Sequence, residues 1–232
     1  MKFLFWQAFA AAVAGGFISL DRTAAFQIMI SRPIVAGPLI GLVCGSLAAG
    51  IVIGSLLELL WIGDLPVGGH VPPHETAAAV IAAAVAANAK GIIPEKELFG
   101  FCILMTIPFA VLCQKADQGV RMFNKYYYHR AYAEIEKGTA SGVGIFNLMA
   151  VLTLLIVNIA VFFFFITIGM MGVSRIYYII PQEIRFAFAT LFAVIPVIGI
   201  ASAFNTAHSN KLAKTALFAV FILFIGLLAW HR

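Results

Sequence analysis

Long apolar runs, interrupted by short polar or glycine- and proline-rich breaks, recur from one end of the chain to the other. Phe3–Leu20 predicts a first helix long enough to cross a hydrocarbon core of about 30 Å with slight tilt. Asp21–Pro33 (DRTAAFQIMISRP) is too short and too polar to cross, and predicts an interfacial or re-entrant element. Ser31-Arg32-Pro33 marks a helix boundary there, because proline pushes the residue before it out of the helical region. Ile34–Ile62 would reach about 43 Å as one helix, so it predicts two pieces, with the joint in Gly45–Gly50. Gly37, Gly41, Gly45, Gly50 and Gly54 let helix backbones approach closely in lipid.

Beyond Ile62 the chain is broken by Gly63, Pro66, Gly68, Gly69, Pro72 and Pro73. This break holds Asp64, His70, His74 and Glu75, and Glu58 sits in the apolar run before it. Irregular polar backbone survives at membrane depth only where protein buries it or where it lines a wet cavity. An ionisable residue in such a place is a functional-site hypothesis by default. Gly54–Thr76 is therefore the predicted substrate site.

Thr76–Ala89 is Ala-rich and too short for a full crossing, which predicts a half-span or re-entrant helix. Lys90–Glu97 reads as a polar turn, and Leu98–Cys113 as a span kinked at Pro108. Gln114–Ser141 is the one substantial polar segment, with Lys115, Arg121, Lys125, Arg130 and Lys137 around Tyr126–Tyr128. The positive-inside rule makes it a cytoplasmic loop. Val143–Gly172 is long enough to demand strong tilt or a break, and Val173–Arg185 reads as an outside loop. Phe186–Phe204 then returns with a kink at Pro196. Asn205–Lys214 is a second basic inner loop, and Thr215–Trp230 the last crossing.

Composition settles the class. The chain is 62% hydrophobic and 11% charged, with a mean hydropathy of +1.02, which excludes a soluble domain. The expected fold is an all-α polytopic membrane protein with about six to eight membrane helices, re-entrant and broken elements included. One membrane domain covers residues 1–232: a glycine-rich substrate-site half (1–113), the basic cytoplasmic loop (114–142) and the C-terminal helices (143–232). Basic residues at span ends and anionic lipid explain the net charge of +5 without any nucleic acid. Met1–Leu20 has signal-peptide features, but its apolar run continues through Leu20 and predicts a retained helix. Cys44, Cys102 and Cys113 are far apart and read as small hydrophobes in helix packing.

LDRTAAFQIMISRPIVAGPLIGLVCG followed by GIVIGSLLELLWIGDLPVGGHVPPHETAAA resembles the IIC membrane subunit of the mannose/fructose/sorbose class of bacterial phosphotransferase systems. The likeness covers Leu20–Ala79; the remainder is similar in hydropathy only. It implies a hexose permease in the bacterial cytoplasmic (inner) membrane that works with a IID membrane subunit and forms an oligomer. Cytoplasmic IIA and IIB proteins would relay phosphate from phosphoenolpyruvate. The phosphorylated histidines of such systems lie on IIA and IIB, so no catalytic residue, cofactor or metal is expected in this chain. Two positions depart from the pattern, Ser46 and His74, where many relatives carry a carboxylate.

Each candidate residue has a bland alternative. Glu58 can accept hydrogen bonds from sugar hydroxyls, or it can pair with Arg22 or Arg32 or bond to the IID partner. Asp64 is a ligand or a turn cap. His70 and His74 hydrogen-bond sugar or backbone, since the double proline between them forbids the helix that a two-histidine zinc motif needs. Glu75 and Thr76 open a helix, so a role at its positive end is the alternative for them. Gln27 and Arg32 can reach the site from the first re-entrant segment, Arg32 as sugar ligand or as partner of Glu58 or Asp64. Asn88, Asn158 and Asn205 are pore or packing polars. Two other functional classes stay open on the residues alone: an ion- or proton-coupled secondary transporter and a non-transporting regulatory membrane subunit.

Overall fold

A computed structural model describes residues 2–63, 72–138, 142–206 and 215. Seven helices follow in order among them: α1 (Lys2–Leu20), α2 (Pro33–Val43), α3 (Leu47–Leu60), α4 (Glu75–Ala89), α5 (Glu95–Glu136), α6 (Val143–Ile179) and α7 (Gln182–Thr206). Four of them, α1, α5, α6 and α7, are long and apolar enough to cross a membrane, and α2, α3 and α4 are shorter apolar helices. The all-α polytopic expectation therefore holds: Ile34–Ile62 is two short helices, as its length and glycine spacing implied, and Thr76–Ala89 lies in a third short helix, while residues 21–32 form a turn.

The joint in Ile34–Ile62 falls at Cys44–Ser46. Gly45 takes a left-handed φ of +80°, which glycine adopts without strain. The Ser46 amide bonds back to Gly41 O at 2.7 Å and the Gly45 amide to Leu42 O at 3.1 Å, the paired bonds of a Schellman C-cap. The reversal lays α3 antiparallel on α2 with backbones almost touching. A Cβ on Gly37 would lie 2.6 Å from Gly50 O, and one on Gly41 would lie 2.7 Å from Gly50 Cα. This hairpin brings the residue before α2, Arg32, beside the last turn of α3.

Helix α4 is the hub. It is buried from Glu75 through Ala86 and packs against α1, α2, α3, α5 and α6. A helix that is apolar all round belongs in an interior, and alanine lets five neighbours come close at no rotamer cost. At about 22 Å it is short of a full crossing.

Two expected loops are helix. Gln114–Ser141 reads as a loop from its polarity, yet α5 continues to Glu136 and ends only where Gly138 turns with φ +78°. Gln, Lys, Arg, Met, Glu and Ala are strong helix formers, so this stretch lengthens the helix beyond its apolar part. Val173–Arg185 reads as an outside loop, yet α6 runs unbroken to Ile179, and only Ile180 and Pro181 separate it from α7. Polar side chains there find tertiary partners. The Tyr177 hydroxyl donates to Glu97, the Tyr178 hydroxyl donates to Ile92 O at 3.0 Å, and the Arg185 guanidinium lies over the Tyr177 ring at 5.1 Å. At about 63 Å and 55 Å, α5 and α6 both exceed the hydrocarbon thickness.

The three cysteines are buried and unpaired, in keeping with a packing role. Asp64, His70 and the inner loop and last crossing expected over Asn205–Trp230 lie outside the described residues, apart from the backbone of Asn205 and Thr206, which closes α7, and Thr215.

Candidate functional site

Five elements each place at least one charged side chain at the same point. Arg22 stands in the turn after α1, Arg32 at the N-cap of α2, Glu58 in the last turn of α3, Glu75 at the first position of α4, and Asp117 and Arg121 on α5. The charges alternate along a connected chain. Arg32 donates to Glu58 through Nη2 and, at 2.9 Å, through Nε. Arg32 Nη1 lies 3.9 Å from Glu75 Oε1, and Arg22 Nε lies 3.9 Å from the same oxygen. Arg22 Nη1 is 3.6 Å from Asp117 Oδ2, which also accepts from Arg121 Nε at 3.2 Å. Glu58, Glu75 and Asp117 thus each face at least one guanidinium, with Arg121 the half-exposed end of the chain. Burying ions is tolerable only with such pairing.

The pairing is incomplete at one place. Arg22, Gln27, Arg32 and Glu75 line a cavity of about 260 Å³, together with Asp21 and Ser31. Around it, Arg22 Nε, Arg32 Nη1 and Glu75 Oε2 are buried without a hydrogen-bond partner among the described residues. Two donors and one acceptor are thus left open on residues that line one space, where buried polar groups ordinarily find partners.

The cavity's outer wall is the 21–32 turn. Phe26, Gln27 and Met29 hold φ values of 64°, 54° and 66°, a region that costs non-glycine residues about 1–3 kcal/mol each. Asp21 holds the turn in place: its carboxylate accepts from Ile28 N at 2.7 Å, Ser31 N at 3.0 Å and Ser31 Oγ at 3.1 Å. Burial alone would raise the pKa of this carboxyl, but the bonds from Ser31 and Ile28 outweigh it and hold the group below the ordinary carboxylate value.

Among the residues singled out from sequence, Arg32, Glu75 and Gln27 come together at the cavity, and Glu58 joins them through Arg32. His74 turns away. It is 1% exposed, its Nδ1 accepts from Ala77 N at 3.2 Å, and its Nε2 faces Ser19 Oγ at 3.3 Å. Because Nδ1 accepts, the ring proton sits on Nε2 and points at the serine. Ser19 in turn accepts from Asn158 Nδ2 at 2.9 Å, so Asn158 serves packing. Thr76 is fully buried, with its hydroxyl unpartnered among the described residues. Ser46 begins α3 without a side-chain cap bond. Among the described residues, no three His, Cys, Asp or Glu side chains group in a way that could hold a metal.

Sequence reasoning missed Asp21, Ser31 and Asp117, and named Arg22 only as a possible partner for Glu58. Asp21 and Arg22 carried a signal: a charged pair directly after an apolar run. Asp117 carries none, because its stretch is polar enough to read as a loop.

Fold and site together define a polytopic membrane protein with a cluster of ion-paired, mostly buried side chains between its helices. Residues 5–228 match the family described as the sorbose-specific IIC component of the phosphotransferase system, and the chain belongs to that family of bacterial inner-membrane sugar permeases. It is 35% identical over 114 residues to a chain of Escherichia coli K12 provisionally named N-acetylgalactosamine permease IIC component 2, a match spanning 49% of this chain and 80% of that one. It is 24% identical over 187 residues to the mannose-specific EIIC component of Escherichia coli K12, spanning 80% of this chain and 68% of that one. The fold is similar to a chain in the cryo-EM structure of the mannose transporter ManYZ with microcin E492, at a TM-score of 0.59 and 20% identity, covering 100% of this chain and 96% of that chain.

Proposed function

We propose that this chain is the IIC permease subunit that carries a hexose across the bacterial inner membrane. It works with a IID membrane subunit, while IIA and IIB proteins pass phosphate from phosphoenolpyruvate to the sugar. The observation that carries the reading is the set of open hydrogen-bond groups around the cavity: two guanidinium donors and one carboxylate oxygen. A sugar hydroxyl both donates and accepts, so neighbouring hydroxyls on one ring suit that set. Charge-assisted bonds of this kind are the stronger ones, and enclosure makes each count for more.

Glu75 accepts from the sugar, Arg32 donates, and Gln27 reaches in from the turn. Glu58 holds Arg32 in place and contributes to binding through it. Asp64 and His70, in the segment before α4, are proposed as further ligands, and His74 and Thr76 as supports that set the start of α4. The relatives' names, mannose and N-acetylgalactosamine, suggest the sugars to try first.

The test is sugar uptake into membrane vesicles holding this chain, a IID subunit and the soluble phosphotransferase proteins, with and without phosphoenolpyruvate. Phosphosugar accumulating only with phosphoenolpyruvate is the expected result. Uptake driven by a proton gradient instead would establish a secondary transporter, and no uptake of any hexose would point to a regulatory subunit.

A further inference from the structure

We propose that Arg22 is a sugar-binding residue of this permease and that Asp117, on α5, is the residue that positions it; the assignment rests on the permease reading above. Arg22 is held from two sides. Its Nη2 donates to Pro72 O at 3.1 Å, and its Nη1 faces Asp117 Oδ2 at 3.6 Å. The third nitrogen, Nε, is buried, lines up 3.9 Å from Glu75 Oε1, and has no hydrogen-bond partner among the described residues. The side chain is 3% exposed. A guanidinium that is buried and immobilised normally spends all its donors on fixed acceptors. This one leaves Nε without such an acceptor among the described residues; Arg22 and Glu75, whose Oε2 is likewise unpartnered, both line the cavity.

The geometry separates the two roles. Arg22 lines the cavity; Asp117 does not, and touches it only through Arg22. Asp117 is itself oriented by Arg121 one helical turn on, at 3.2 Å. A sugar hydroxyl between Arg22 Nε and Glu75 would accept from the first and donate to the second. Planar guanidinium geometry sets the direction of Nε–H once the two Nη atoms are pinned. Lysine keeps the charge but loses that direction.

A purely structural ion pair predicts something different. Removing either partner would then lower the amount of folded protein and leave the affinity of the surviving protein alone. Acting on affinity, the two residues should be coupled in one direction: Asp117 matters only while Arg22 is present.

The experiment uses the full chain with its IID subunit and the soluble phosphotransferase proteins in vesicles. It measures KM and maximal rate for mannose and N-acetylgalactosamine uptake, normalised to chain present in the membrane, and equilibrium binding of the same sugars without phosphoenolpyruvate. Arg22→Lys and Arg22→Gln should raise KM at least tenfold with maximal rate within about twofold. Asp117→Asn should raise KM severalfold, Asp117→Glu should restore most of the loss, and Asp117→Asn should add nothing in the Arg22→Lys background. Arg22→Lys keeps a cation at the buried position, so it answers the question should Arg22→Gln fail to accumulate. Unchanged KM in every folded variant, or additive effects in the double variant, would overturn the assignment while leaving wild-type uptake and the permease reading in place. A wild-type chain that neither binds nor takes up either sugar would overturn both.

Discussion

Arg32 and Glu58, on opposite arms of the α2–α3 hairpin, form a two-nitrogen pair: Nε and Nη2 of the arginine both donate to Oε1 of the glutamate, and Oε2 accepts from Ile34 N at 3.3 Å. The pair closes the open end of a hairpin whose other end is the Gly45 turn. Glu58→Gln should therefore destabilise the protein by about 1.5–3 kcal/mol, the usual worth of hydrogen bonds to a charged group. Arg32→Gln in the same background should add less than it costs alone, since the partner is already gone. Thermal unfolding of the two single variants and the double in detergent measures this coupling. Additive losses would mean that the pair is not formed.

The hairpin also depends on glycine at the crossing. A Cβ on Gly50 would overlap Gly37 O, and one on Gly37 would meet Gly50 O at 2.6 Å and Gly54 Cα at 2.7 Å. Backbone cannot yield as a side chain can. Gly50→Val should cost more than the about 1–3 kcal/mol typical of overpacking and should separate Arg32 from Glu58. The readout is the yield of monodisperse protein in size-exclusion chromatography, where Gly119→Val, with open space around it, should match wild type.

His74 caps α4 through Nδ1, which accepts from Ala77 N. An aspartate there can accept the same bond, and a leucine cannot. His74→Leu should lose about 1–2 kcal/mol, the value of an N-cap. His74→Asp should keep most of the cap, with a negative charge placed at the positive end of the helix. The comparison is by thermal unfolding, with phosphoenolpyruvate-dependent uptake as a second readout.

Asp21 stakes the strained turn through three hydrogen bonds. Asp21→Ala should release it. Hydrogen exchange at the Ile28 and Ser31 amides should then quicken by at least about tenfold, the factor that about 1.4 kcal/mol corresponds to. Exchange in α4 should stay slow, because that helix is enclosed on all sides. Equal exchange at Ile28 and Ser31 in both proteins would show that the turn is held by other means.

Hydropathy made the spans legible, and glycine and proline spacing made the breaks legible: the Cys44–Ser46 joint, the half-length α4 and the Arg32 boundary all follow from local chemistry. The long polar continuation of α5 did not, because polarity reports solvent contact while helicity depends on side-chain entropy and the absence of breakers. Asp117 was lost with it. The Arg32–Glu58 pair was legible as one of two options, since a buried carboxylate needs a cation and both Arg22 and Arg32 stood within reach. The Arg22–Asp117 contact joins residues far apart in the chain, and no local rule pairs them. For His74 the polar break leaves sugar and backbone open as partners; its position just before a helix favours the backbone, and Nδ1 accepts from Ala77 N.

Protection from labelling tests whether sugar occupies the cavity between the 21–32 turn and α4. Gln27 lines that cavity, and the three native cysteines are buried, so background reaction at them is slow. Gln27→Cys would be labelled with a small maleimide in vesicles carrying the partner subunits, with and without mannose or N-acetylgalactosamine, beside Tyr128→Cys as an exposed control. Occupancy of the cavity predicts that sugar slows labelling at position 27 severalfold and leaves position 128 unchanged. Identical rates at position 27 with saturating sugar, in vesicles that do take it up, would place the binding site elsewhere in the protein.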